Sequence, residues 1–117
     1  MKNLLLVDDD RDFLQLLSSI LKKDFQVYEA TGITEALKIL QTAQINVICS
    51  DFNMWDGTRL ELLKMLRYEN VKTPFLLMSG NADFCLVNVA EQHGAVFCCK
   101  TDFELLEKIK KIASTVL

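Results

Sequence analysis

Apolar residues in this chain follow two alternating rhythms. Short unbroken runs give way to stretches where they return every three or four positions. Leu4-Leu5-Leu6-Val7 is a run that reads as a buried strand. Phe13, Leu16, Leu17, Ile20 and Leu21 then repeat at helical spacing and end on Lys22-Lys23, where positive charge suits a helix terminus. The alternation continues with a strand from Phe25 to Glu29 and a helix marked by Ile33, Ala36, Leu37 and Leu40. A third strand runs from Ile45 to Ser50. A third helix runs from Thr58 to Arg67, with Thr58 and Glu61 spaced as a capping box. Pro74 to Met78 is the fourth strand, and Asn81 to His93 the fourth helix, closed by Gly94. Ala95 to Cys99 is the fifth strand. Phe103, Leu106, Ile109 and Ala113 mark the last helix, opened by a Thr101-x-x-Glu104 box.

Five strand-helix units in this order predict an α/β fold. Strands that are apolar throughout belong in a parallel sheet covered by helices on both faces. Such a doubly wound sheet places its working site at the carboxyl ends of the strands. The residues expected there are Asp8-Asp9-Asp10 after the first strand, Asp51 after the third, Ser79 after the fourth and Lys100 after the fifth. Asp10 reads as a helix N-cap. Converging carboxylates repel one another, and a cation relieves the repulsion. An all-oxygen ligand set with few side chains suits Mg²⁺. A metal and a lysine together neutralise the oxygens of a transferring phosphoryl group. Asp51 can then serve as the nucleophile, and Ser79 can donate to a phosphate oxygen.

The length of 117 residues suits one domain, taken as residues 1–117. Half the chain is hydrophobic, enough for a core without disulfides. The net charge of -3, without a basic run, argues against nucleic acid as a partner. The four apolar residues after Asn3 are too few for a signal peptide or a membrane span, so a soluble cytoplasmic protein is expected. Cys49, Cys85, Cys98 and Cys99 read as small apolar residues in a reducing compartment. Neighbours on a strand, such as Cys98 and Cys99, face opposite sides and do not share a metal.

The run Leu-Leu-Val-Asp8-Asp9, then Asp51-Phe-Asn-Met54, Met-Ser79-Gly80 and Lys100 resembles the receiver domains of two-component response regulators. Each motif is weak alone; together, in this order and across nearly the whole chain, they are specific. The resemblance implies a flavodoxin-like sheet of strand order 2-1-3-4-5. It implies that Asp8, Asp9, Asp51 and the backbone carbonyl of Asn53 hold Mg²⁺. It also implies that Ser79 and Lys100 contact the phosphoryl group, with Ser79 and Phe97 at the switch positions. A histidine kinase or phosphotransfer protein would be the donor. The fourth helix, fifth strand and last helix would bind a downstream protein or form a homodimer.

Some positions depart from the family pattern. Trp55 and Thr101 stand where the family has proline, so the bond after Lys100 is expected to be trans. An ungapped alignment keeps Glu61 in register and puts Thr58 at the family's Asp. Trp55, the only tryptophan, is expected to border the site. Three rival readings remain. The first is a pseudo-receiver that binds partners without being phosphorylated. The second is a small aspartate-nucleophile hydrolase, disfavoured because Asn53 replaces the second acid and no cap segment is present. The third is a flavin-binding protein, disfavoured because three anions occupy its phosphate loop.

Overall fold

The computed structural model describes residues 1–52, 60–80 and 84–114, the side chains of residues 84–86 excepted. The Asn53 carbonyl, Trp55, the Thr58 cap and the side chains of Phe84, Cys85 and Leu86 lie outside the described residues.

The elements alternate along the chain as β1 (Lys2–Val7), α1 (Arg11–Leu21), β2 (Phe25–Ala30), α2 (Ile33–Thr42), β3 (Val47–Asp51), α3 (Glu61–Tyr68), β4 (Phe75–Ser79), α4 (Phe84–Gln92), β5 (Val96–Cys99) and α5 (Leu105–Ala113). The five strands form one parallel sheet in the order β2-β1-β3-β4-β5. This is the doubly wound architecture that the apolar runs predict, in the flavodoxin-like strand order that the resemblance implies. One face of the sheet carries Leu4, Leu6, Cys49, Met78 and Cys98 against α1 and α5. The other carries Leu5, Val7, Ile48, Phe75 and Leu77 against α2, α3 and Ala90 of α4. Cys49 and Cys98 are buried free thiols, pushed up by desolvation, Cys98 to about 11.

The helix faces differ in detail from the periodic reading. In α1 the buried positions are Leu14, Leu17, Ser18 and Leu21, whereas Leu16 and Ile20 are exposed. That helix is apolar on more than one side, so spacing alone does not select the face turned inward. β3 begins at Val47 rather than Ile45. Asn46 meets β1 partly through its side chain, whose Oδ1 accepts the Asn3 amide at 2.8 Å. The start of α5 is a clearer correction. Phe103 is fully exposed instead of opening the core stripe, and the Thr101-x-x-Glu104 box does not form. Asp102 takes that part, its Oδ1 accepting the Glu104 amide at 2.8 Å and its Oδ2 meeting Lys108 Nζ at 2.9 Å. No cis peptide bond occurs among the described residues, so the Lys100–Thr101 bond is trans as expected.

Two helices end in the same way. After α4 the Ala95 amide reaches back to the Ala90 carbonyl (2.9 Å) and the Gly94 amide to Glu91 (3.0 Å), with Gly94 at φ 72°. After α3, Val71 and Asn70 repeat the pattern on Leu66 and Arg67, with Asn70 at φ 61°. Arg67 ties the two turns together by donating to the carbonyls of Val71, Thr73, His93 and Gly94. A Cβ on Gly94 meets only the Arg67 guanidinium, at 3.7 Å or more. The cost of a side chain there is therefore conformational. Gly94→Ala is expected to lower unfolding free energy by about 1–2 kcal/mol in urea titration, the penalty of placing an L-residue in the left-handed region. An unchanged midpoint would show that the turn relaxes into another cap.

Candidate functional site

The carboxyl ends of the strands gather the charged residues. Asp51 is the last residue of β3, Ser79 the last of β4, and Asp8 and Lys100 directly follow β1 and β5. Neighbouring strands fix each backbone. The Asp8 amide donates to Ala30 at 3.0 Å, Phe52 to Met78 at 2.7 Å, and Lys100 to the Ser79 carbonyl at 2.8 Å. Asp8, Asp51 and Ser79 are buried among these ends, while Asp9 is half-buried at the rim.

Carboxylate oxygens of Asp8, Asp9 and Asp51 lie within 4.8 Å of one another. The Lys100 ammonium enters from β5, with Nζ 2.8 Å from Asp8 Oδ2 and 3.4 Å from Asp51 Oδ1. Asp8 is further oriented by the Asp10 amide, which donates to its Oδ1 at 2.9 Å. Asp10 caps α1 as expected, its side chain accepting the Phe13 amide. Burial raises the Asp8 carboxyl above its ordinary range, and the Lys100 ammonium and Asp10 amide only partly offset this. For Lys100, burial pulls downward but is outweighed by Asp8 and Asp51, which leave the ammonium firmly charged.

Five predicted site residues, Asp8, Asp9, Asp51, Ser79 and Lys100, thus come together. Phe97 lies one strand position before Cys98, half-buried against the α2-α3-α4 side of the sheet. The site also includes Phe13, whose ring centroid is 4.5 Å from Lys100 Nζ. In the sequence Phe13 reads only as a helix core position, and no local signal pairs it with a residue 87 places further on. Three mutually close carboxylates, two of them buried, with one compensating ammonium, form a donor set that fits a small hard divalent cation.

A family model described as the response regulator receiver domain matches residues 4–113. The chain belongs to this family. Receiver domains bind Mg²⁺ at an acidic pocket, the place held here by Asp8, Asp9 and Asp51. Among curated relatives, the cell cycle response regulator CtrA of Brucella abortus is 34% identical over 79 residues. That match covers 67% of this chain and 34% of the relative, so the chain spans about a third of the length of such relatives. The chemotaxis protein CheY4 of Vibrio cholerae is 29% identical, with a TM-score of 0.87 over 96% of this chain and 98% of that one. The receiver domain of HemR from Leptospira biflexa shares the fold at a TM-score of 0.91, with 24% identity, covering 100% of this chain and 98% of that one. The chain is therefore a receiver domain of two-component signalling, a class that is not a classical enzyme. No helix among the described residues is long and apolar enough to cross a membrane.

The sign of the Asp8 shift gives a test on the metal-free receiver. A carboxyl whose folded pKa is raised binds its proton more tightly folded than unfolded, so its ionisation destabilises the fold at neutral pH. That penalty fades as pH falls towards the unfolded value. Asp8→Asn is expected to raise the melting temperature at pH 7 in chelator-treated buffer, with the gain shrinking at pH 4. A lower melting temperature at pH 7 would mean that the Lys100 pair outweighs the burial of Asp8.

Proposed function

We propose that this receiver, spanning residues 1–117 and acting in the cytoplasm, takes a phosphoryl group onto Asp51 in a Mg²⁺-dependent reaction. The observation that carries this reading is Lys100, whose ammonium lies within 3.4 Å of Asp51 and 2.8 Å of Asp8. Asp51 is the buried carboxylate that the cationic side chain and the other acids surround. The donor would be a phosphohistidine on a sensor histidine kinase or a phosphotransfer protein. An Asp51 oxygen attacks phosphorus, the new O–P bond forms as the N–P bond breaks, and the histidine leaves with the electron pair. Asp8, Asp9, Asp51 and the Asn53 carbonyl would hold Mg²⁺, which supplies positive charge to the phosphoryl oxygens. Lys100 supplies a second, fixed charge, and the Ser79 hydroxyl donates to a phosphoryl oxygen. Hydrolysis of the acyl phosphate by the same groups would end the signal.

Phosphorylation then changes the contacts of Ser79, and Phe97 responds by repacking. Its ring lacks a hydroxyl, so packing alone drives the movement. The change would be read on α4, β5 and α5 by a downstream protein or a second copy.

Incubation with Mg²⁺ and acetyl phosphate, followed by intact mass, tests the assignment. One phosphoryl group is expected on the parent chain and none on Asp51→Asn, and Asp9→Ala is expected to lose Mg²⁺ binding. A parent chain that stays unmodified while binding Mg²⁺ would favour an interaction module. Asp51→Asn modified as fast as the parent would place the phosphoryl group on another residue.

A further inference from the structure

Lys100 is a long, flexible cation that must meet two carboxylates at a strand end. Its backbone amide is tied to Ser79, but the residues beyond it are open to solvent, with Thr101, Phe103 and Glu104 all exposed. Holding a lysine side chain in one place costs much of its rotamer entropy, so something must select the inward position. The carboxylates attract it but do not fix its direction. The Phe13 ring lies beside it: Nζ sits over the ring face, 4.5 Å from the centroid.

The ring itself is held by the same acidic loop. Asp8 Oδ1 accepts the Asp10 amide at 2.9 Å, Asp10 Oδ1 accepts the Phe13 amide at 3.2 Å, and Lys100 Nζ returns to Asp8 Oδ2 at 2.8 Å. Asp8, Asp10, Phe13 and Lys100 therefore close a circuit. The N-cap of α1 ties the Phe13 backbone to the acidic loop, and the ring lies against the ammonium.

We propose that Phe13 is a positioning residue for Lys100, its ring face seating the ammonium between Asp8 and Asp51. The role deepens the reading of Asp51 as phosphoacceptor and rests on it wherever it concerns rate. Phe13 acts through Lys100, the cation over its ring. The aromatic face attracts the cation through its quadrupole, and that attraction grows as water is excluded. An aliphatic residue of similar bulk would fill the same volume without supplying the seat.

Site-specific fluorination separates the two roles, because successive fluorines weaken the quadrupole while nearly preserving ring shape. Two readouts are followed across phenylalanine, monofluoro-, difluoro- and trifluorophenylalanine at position 13. The first is the upfield ring-current shift of the Lys100 ε-methylene protons in the metal-free protein. The second is the rate of Mg²⁺-dependent phosphorylation by acetyl phosphate. The shift and the rate are expected to fall together along the series, the rate by about three- to tenfold. Phe13→Leu should lose the shift and match the trifluoro protein in rate, and Phe13→Tyr should retain both signals. No upfield shift in the parent chain, or a shift and rate flat across the series, would overturn the proposal. A shift that follows the series while Asp51 takes no phosphoryl group would keep the positioning role and overturn the functional reading instead.

Discussion

The structure turns on the burial of two carboxylates, Asp8 and Asp51, beside a third, Asp9, with one ammonium among them. Taking an ion out of water costs several kcal/mol even after the protein relaxes. A charge pair at about 4 Å returns roughly 4 kcal/mol at the effective dielectric that suits protein sites. Lys100 can therefore offset about one of the acids. The raised proton affinity of Asp8 is the residue of that imbalance. The remaining negative charge favours a cation, and on the proposed function that cation would be the Mg²⁺ that accompanies the phosphoryl group.

The fold supplies this arrangement through its backbone. Parallel strands ending at one edge aim their terminal residues into a common space, and interstrand bonds such as Lys100 to Ser79 and Phe52 to Met78 lock the register to within one residue. A slip of one position would turn Asp51 to the opposite face of the sheet. Apolar runs such as Leu4–Val7 and Phe75–Met78 are buried on both faces and pin that register far more strongly than the site itself could. The core thus bears the cost of a charged edge that would not assemble alone.

Much of this was legible from the chain. Strands buried on both faces leave unbroken apolar runs, and strand-end residues follow from where the runs stop; Asp8, Asp51, Ser79 and Lys100 were found that way. Gly94 and Asp10 were legible because caps are local chemistry. What escaped was chosen by tertiary packing. Leu14 rather than Leu16 faces the core because α1 offers apolar residues on several sides. Asp102 rather than Thr101 leads into α5, and its carboxylate also reaches Lys108, six residues further on. Phe13 was visible as an apolar residue but not as the seat of Lys100, since nothing local joins the two.

Lys100 compensates part of the charge of the acidic site. Calorimetric titration of Mg²⁺ into the parent chain and into Lys100→Met measures how far the ammonium and the metal compete. Removing the ammonium leaves the three carboxylates uncompensated, so Lys100→Met should bind Mg²⁺ more tightly than the parent. Equal or weaker binding by a folded Lys100→Met protein would contradict the account, because it would mean that the ammonium and the metal do not share the same charge.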